Sequence, residues 1–147
     1  MNKKRIAKLM LGVMVLTGIF AKGSLPQAKS FLMALAPQSE WRAKDAPDLK
    51  DTKDWGGTTG YVKLDKIQDA DSYTMRARAV KSPNGDLEAD YNIYSETITV
   101  RQGAGKTDLY EGHDGKIMHT GETYYLSLKN LNYTRDYRNA VGSFGWL

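Results

Sequence analysis

Ser72-Tyr73-Thr74-Met75-Arg76-Ala77-Arg78-Ala79-Val80 is the stretch that sets the fold class. Tyr73, Met75, Ala77 and Ala79 fall on one side of an extended chain, and Thr74, Arg76 and Arg78 on the other. Successive side chains of a strand point to opposite faces, so this alternation describes a half-buried strand. The run leads into Ser82-Pro83-Asn84-Gly85-Asp86, where Asn-Gly accepts positive φ at little cost and marks a tight turn.

The same period spreads outward in both directions. Upstream, Tyr61 to Ile67 puts Val62 and Leu64 on one face, and Asp69-Ala70-Asp71 turns the chain. Downstream, Asn92 to Gln102 reads as the next strand, with a bulge at Ser95-Glu96 where the phase slips. Gly103-Ala104-Gly105 ends it, Thr107 to Tyr110 is a short extended piece, and Glu111 to Glu122 is loop-like. Tyr124, Leu126 and Leu128 alternate with Tyr125, Ser127 and Lys129, and Asn130 to Asn139 is a polar crossing. The last strand, Ala140 to Trp146, places Ala140, Gly142, Phe144 and Trp146 on one face. No stretch from residue 55 onward shows the 3,4-spacing of an amphipathic helix. The pattern predicts an all-β domain over residues 55–147, a small antiparallel β-sandwich, with a small barrel as the alternative.

The N-terminal third has another character. Lys3-Lys4-Arg5 and Lys8 precede an apolar run of 13 residues, Leu9 to Ala21, followed by Lys22-Gly23. A basic head, a short apolar core and small residues near a break make a secretory signal peptide. A helix of 13 residues covers roughly 20 Å, short of the roughly 30 Å hydrocarbon core of a bilayer. Residues 1–23 are therefore expected to form a signal helix that engages the export machinery and signal peptidase. Cleavage is expected after Gly23, or as late as Ser30. An uncleaved signal-anchor is the alternative, kept open by the apolar patch Phe31 to Ala36. Residues 24–54, with Pro26, Pro37 and Pro47 and a charged stretch from Ser39, read as a largely disordered linker or pro-segment.

Charge and cysteine content narrow the function. The chain is +4 overall, but five of its 21 bases and none of its 17 acids lie in residues 1–23. The remainder holds 16 bases against 17 acids, a net of −1, so no basic field is left to draw nucleic acid. With no cysteine there is no disulfide, thiolate nucleophile, cysteine-ligated zinc or lipid anchor on cysteine. The expected product is soluble, secreted and not membrane-spanning, and a Gram-positive source fits a disulfide-free exported protein.

Four constellations suggest chemistry. Gly103-Ala104-Gly105-Lys106-Thr107 resembles the end of a phosphate-binding loop, but Val100 stands where the first glycine belongs and no helix follows. His113 and His119, with Asp114 between them, are the only histidines and are candidates for acid–base or metal chemistry in a hydrolase. Asp86, Glu88 and Asp90 alternate like calcium ligands, yet Tyr91 and Thr97 occupy the positions that need glycine and glutamate. They read as an acidic strand face that discourages edge pairing. Tyr133, Arg135, Tyr137 and Arg138 interleave aromatic rings with cations, a composition suited to a glycan, a lipid headgroup or a protein partner. No cofactor is implied.

The C-terminal third carries a resemblance. Tyr124-Tyr125-Leu126-Ser127-Leu128-Lys129-Asn130, a tyrosine-bearing loop and Val141-Gly142-Ser143-Phe144-Gly145-Trp146 resemble the ending of small secreted β-sandwich proteins of Gram-positive bacteria, lactococcin-type bacteriocins among them. That resemblance implies export, a two-sheet sandwich and, for some members, killing of related cells at the envelope. The expectation is thus a non-enzymatic secreted domain that binds an envelope or extracellular partner. A secreted hydrolase using His113 and His119, and a structural surface or matrix protein, are the alternatives.

Overall fold

A computed structural model describes residues 28–36, 40–43, 49–131 and 136–147. Among them run nine strands: β1 (Lys29–Leu35), β2 (Trp41–Arg42), β3 (Lys50–Thr52), β4 (Thr59–Ile67), β5 (Thr74–Val80), β6 (Ile98–Arg101), β7 (Lys106–Tyr110), β8 (Thr123–Asn130) and β9 (Arg138–Trp146). They form two antiparallel sheets. The first has the order β1-β9-β4-β7; the second has the order β2-β8-β5-β6, with β3 also on β8. The fold is an all-β sandwich, and the sheets do not close into a barrel.

Alternation builds the core. Met75, Ala77 and Ala79 of β5 are buried and Arg76 is exposed. Leu126 and Leu128 of β8 meet Val62 and Leu64 of β4 and Phe144 of β9 in one apolar cluster. Burying each such leucine or phenylalanine contributes roughly 1.5–3 kcal/mol. β4 bulges between Leu64 and Lys66, so the inward phase passes from Leu64 to Ile67, and all three of Val62, Leu64 and Ile67 reach the core.

Three sequence expectations need correction. The folded unit does not begin at Trp55. Residues 29–35, 41–42 and 50–52 are strands of the two sheets, not a disordered linker. Phe31, Met33 and Leu35 point inward from β1, while Leu32 and Ala34 point out. Apolar residues on both faces hid the period and made the segment read as the tail of a signal. β1 fits because β9 carries Gly142 beneath it: a Cβ there would lie 2.1 Å from the Lys63 carbonyl and 2.7 Å from the Phe31 ring. The expected signal, residues 1–23, lies outside the described residues, as do residues 24–27, 37–39 and 44–48 of the expected linker.

The strand expected over Asn92–Gln102 is shorter. Regular pairing covers Ile98–Arg101, while Ile93 and Ser95 make single bridges to Val80 and Glu111. Asp86, Glu88 and Asp90 are not a strand face either. They lie in turns that end in a 3-10 turn, Asp90–Asn92, held by the Asn92 side chain on Ser82 and on the Asp86 carbonyl. The glycine stretch at 103–105 carries the chain from the second sheet to the first. Gly103 and Gly105 take φ of 75° and 86°, and the Gly103 amide donates to the Leu64 carbonyl at 3.1 Å. Strand β7 follows at once, so no phosphate-binding helix forms there.

Loops gather at the two ends of the sandwich. Residues 53–58, 81–97 and 111–122 meet at one end; residues 68–73, 102–105, 131 and 136–137 lie at the other.

Candidate binding surface

The first end is organised by buried charge. Lys53, just past β3, and Glu111, just past β7, form an ion pair between the sheets, with side chains 3% and 5% exposed. The Lys53 ammonium also donates to the Gly57 carbonyl at 2.5 Å and the Met118 carbonyl at 3.2 Å. Glu111 Oε2 accepts the Met118 amide at 2.8 Å. Burial draws the Lys53 pKa below the ordinary lysine value. Three donors thus meet three acceptors, which makes a buried charge tolerable.

Beside this pair, the Tyr124 hydroxyl accepts the His119 amide at 2.8 Å and donates to Glu122 Oε2 at 2.7 Å. Lys81 reaches the same carboxylate oxygen at 2.5 Å and lies 4.6 Å from the Tyr124 ring centre. Burial is the main force pushing the Tyr124 pKa up to about 12. Glu122 is held below its usual value first by the hydrogen bond from Lys81.

The histidine and acidic candidates are partly brought together here. His113 Nε2 is 3.2 Å from Asp90 Oδ1 and 3.9 Å from Asp114 Oδ2. Gly112 at φ 114° and Asp114 at φ 51° make the sharp turn that presents them. The three ligand atoms lie within 4.8 Å of one another, close enough for one cation to touch all three. Asp90 and Asp114 are open to solvent, 74% and 64% exposed, and Lys116 donates to the Asp90 carbonyl. The other three candidates serve elsewhere. Asp86 Oδ1 accepts the Glu88 amide, Glu88 faces Lys129 at 3.7 Å, and His119 supplies its amide to Tyr124.

Tyr137 and Arg138 lie at the other end, while Tyr133 and Arg135 lie outside the described residues. Arg138 spends its charge on the β4–β5 turn, 3.3 Å from the Gln68 carbonyl and 3.4 Å from Asp69 Oδ2. Tyr137, 55% exposed, accepts a hydrogen bond from Arg42 at 3.2 Å, with the guanidinium 5.3 Å from its ring centre.

That contact leads to a residue missing from the sequence-based set. Trp41, next to Arg42 on β2, lies on the outside of the second sheet. The Arg78 guanidinium stacks 3.8 Å from its ring centre and the Lys129 ammonium lies 5.6 Å away. Arg78 is 7% exposed and also donates to the Leu87 carbonyl. Burial lowers its pKa, opposed by the charges of Glu88, Asp86 and Asp90. A groove of about 240 Å³ separates Glu40, Trp41 and Arg42 from Pro83, Asn84 and Leu87. Trp41 with Arg78 and Lys129 thus forms one ring–cation cluster on the outside of the second sheet, while Arg42, paired with Leu128 and so turned to the other face, forms a second one with Tyr137. The alternation Arg76–Arg78 was the only sequence signal for the first cluster; Trp41 sat in a stretch with no visible period.

Among the described residues no helix is long and apolar enough to cross a membrane. Comparison of the chain with protein-family models, with curated proteins and with solved structures gives no match.

Proposed function

We propose that this protein is exported and acts without catalysis, as a β-sandwich domain that binds a component of the cell envelope. The observation that carries this reading is the pair of ring–cation clusters, Trp41 with Arg78 and Lys129 on the outer face of the second sheet and Tyr137 with Arg42 at its edge. Aromatic faces with adjacent cations grip sugars and anionic groups in water, because ring contact and charge act together. Export rests on the tripartite pattern of residues 1–23. Cleavage after Gly23 leaves β1 whole, whereas cleavage after Ser30 removes its first two residues; the first site is the one favoured here. A bacteriocin-like role, suggested by the C-terminal third, is one form this binding can take.

The test has two parts. Mass spectrometry of culture medium is expected to find a chain starting at Ser24. The purified protein is expected to sediment with isolated envelopes, and Trp41→Ala with Tyr137→Ala to remain in the supernatant. Full-length chain in the cytosol, or no sedimentation by the parent, contradicts the reading. His113→Ala with His119→Ala is expected to sediment like the parent.

A further inference from the structure

The outer face of the second sheet holds two arginines, Arg76 and Arg101, that no acid among the described residues neutralises. Arg76 of β5 sits directly opposite Lys129 of β8 on one side and Thr99 of β6 on the other. Arg101, two residues beyond Thr99, is a diagonal neighbour of Arg76. Like charges facing across paired strands destabilise a sheet, and diagonal neighbours, roughly 7–8 Å apart, are within reach of arginine side chains. The nearby acids serve Lys129 and Arg78 rather than Arg76 and Arg101. Glu88 lies 3.7 Å from Lys129, and Glu88, Asp86 and Asp90 act on the buried Arg78. Among the described residues Arg76 and Arg101 have no ion pair and no hydrogen bond from their side chains. On the first sheet Lys63 has Asp65 at 2.6 Å and Lys29 has Asp51 at 3.7 Å, while Lys106 rests over the Tyr61 ring and Lys66 stands apart; among the described residues, only on the second sheet does an unpaired arginine lie directly opposite another cation.

We infer that this face, formed by Arg76, Arg101 and Lys129 beside Trp41, docks a polyol-phosphate polymer of the envelope. The inference rests on the envelope-binding reading and names its ligand. Charge complementarity selects an anion. The planar guanidinium forks of Arg76 and Arg101 match the oxygens of a phosphodiester, and Lys129, shared with Glu88 at 3.7 Å, flanks them with a further cation. A row of three cations suits a flexible chain with spaced charges. It does not suit duplex nucleic acid, whose dense charge calls for a basic field that a net of −1 over residues 24–147 does not provide. The half-buried Trp41 offers apolar surface to the carbon backbone of the polymer.

The experiment measures binding of the purified secreted chain to poly(glycerol phosphate), to duplex DNA, and to isolated walls before and after chemical removal of their phosphate polymer. The parent is expected to bind poly(glycerol phosphate), more weakly as salt rises. Arg76→Gln with Arg101→Gln, which changes exposed side chains only, is expected to keep the parent's circular dichroism. It should bind roughly 25-fold more weakly, from about fivefold per cation at an anionic surface. Arg76→Lys with Arg101→Lys, which keeps the charge and loses the fork, is expected to bind more tightly than the glutamine variant and more weakly than the parent. Equal binding of polymer by the glutamine variant and the parent overturns the inference, as does tighter binding to DNA. Undiminished binding to stripped walls overturns the ligand and leaves the envelope reading standing. Binding to the polymer but not to intact walls overturns the envelope reading and leaves the surface chemistry standing.

Discussion

Lys53 and Arg76 are two cations of the same sandwich held in opposite ways. Lys53 is almost fully enclosed, with Glu111 and two backbone carbonyls taking its three donors. Arg76 is exposed, faces another cation across the sheet and has no acid of its own among the described residues. The difference separates structure from use. An enclosed charge survives only if the fold satisfies it, so its partners are structural. An exposed charge that the fold leaves opposed costs a little stability and stays available to something outside.

The comparison breaks most visibly at Glu111. Glu111→Ala leaves a buried ammonium without its acid and is expected to cost roughly 3–5 kcal/mol in urea unfolding. Lys53→Met with Glu111→Leu should recover most of that, because the desolvated charges leave together. A loss below about 1 kcal/mol for Glu111→Ala would place the pair in solvent instead. Arg78 stands between the two cases, buried but stacked on Trp41. Trp41→Ala is expected to cost about 2 kcal/mol, the scale of a desolvated cation–ring contact. An unchanged urea midpoint would show the stack to be incidental.

Tyr124 sharpens the enclosed side by pH. Its pKa rises from 10.0 in the unfolded chain to about 12 in the fold. Between those values the unfolded chain loses a proton that the folded chain keeps, so stability falls as pH rises through that window. Tyr124→Phe should show a shallower alkaline decline, measured as urea midpoints from pH 9 to 12. Equal slopes would remove the buried hydroxyl from the account. The smallest effect lies on the open side. Arg76→Gln is expected to raise stability by roughly 0.2–0.5 kcal/mol, since it relieves the opposed charge of Lys129. A loss of 1 kcal/mol would mean that Arg76 has a structural partner.

The sequence made the centre of the fold legible and obscured its edges. Ser72 to Val80 and Ala140 to Trp146 announce themselves because polar or small residues hold most of one phase, Thr74, Arg76 and Arg78 in the first and Ser143 and Gly145 in the second, while the other phase is apolar or glycine. β1 does not, because Leu32 and Ala34 are apolar on the outward phase as well. β2 and β3 are two and three residues long, too short for any period to show, and their order comes from pairing with β8. For the same reason Trp41 and Lys53 could not be read as functional or structural residues. The loop candidates were legible only as composition. His113 and Asp90 meet because two separate turns converge, while His119 turns its backbone to Tyr124, and spacing alone holds no information on either outcome.

The central claim is that the charges at Arg76 and Arg101 are reserved for an anionic polymer, and ligand-linked stability tests it most directly. With poly(glycerol phosphate) at roughly 100 times its dissociation constant, the parent should gain about 2.7 kcal/mol in urea unfolding. At that same concentration Arg76→Gln with Arg101→Gln, bound roughly 25-fold more weakly, should gain only about 1 kcal/mol. Equal gains in the two proteins, or no gain in the parent, would contradict the account.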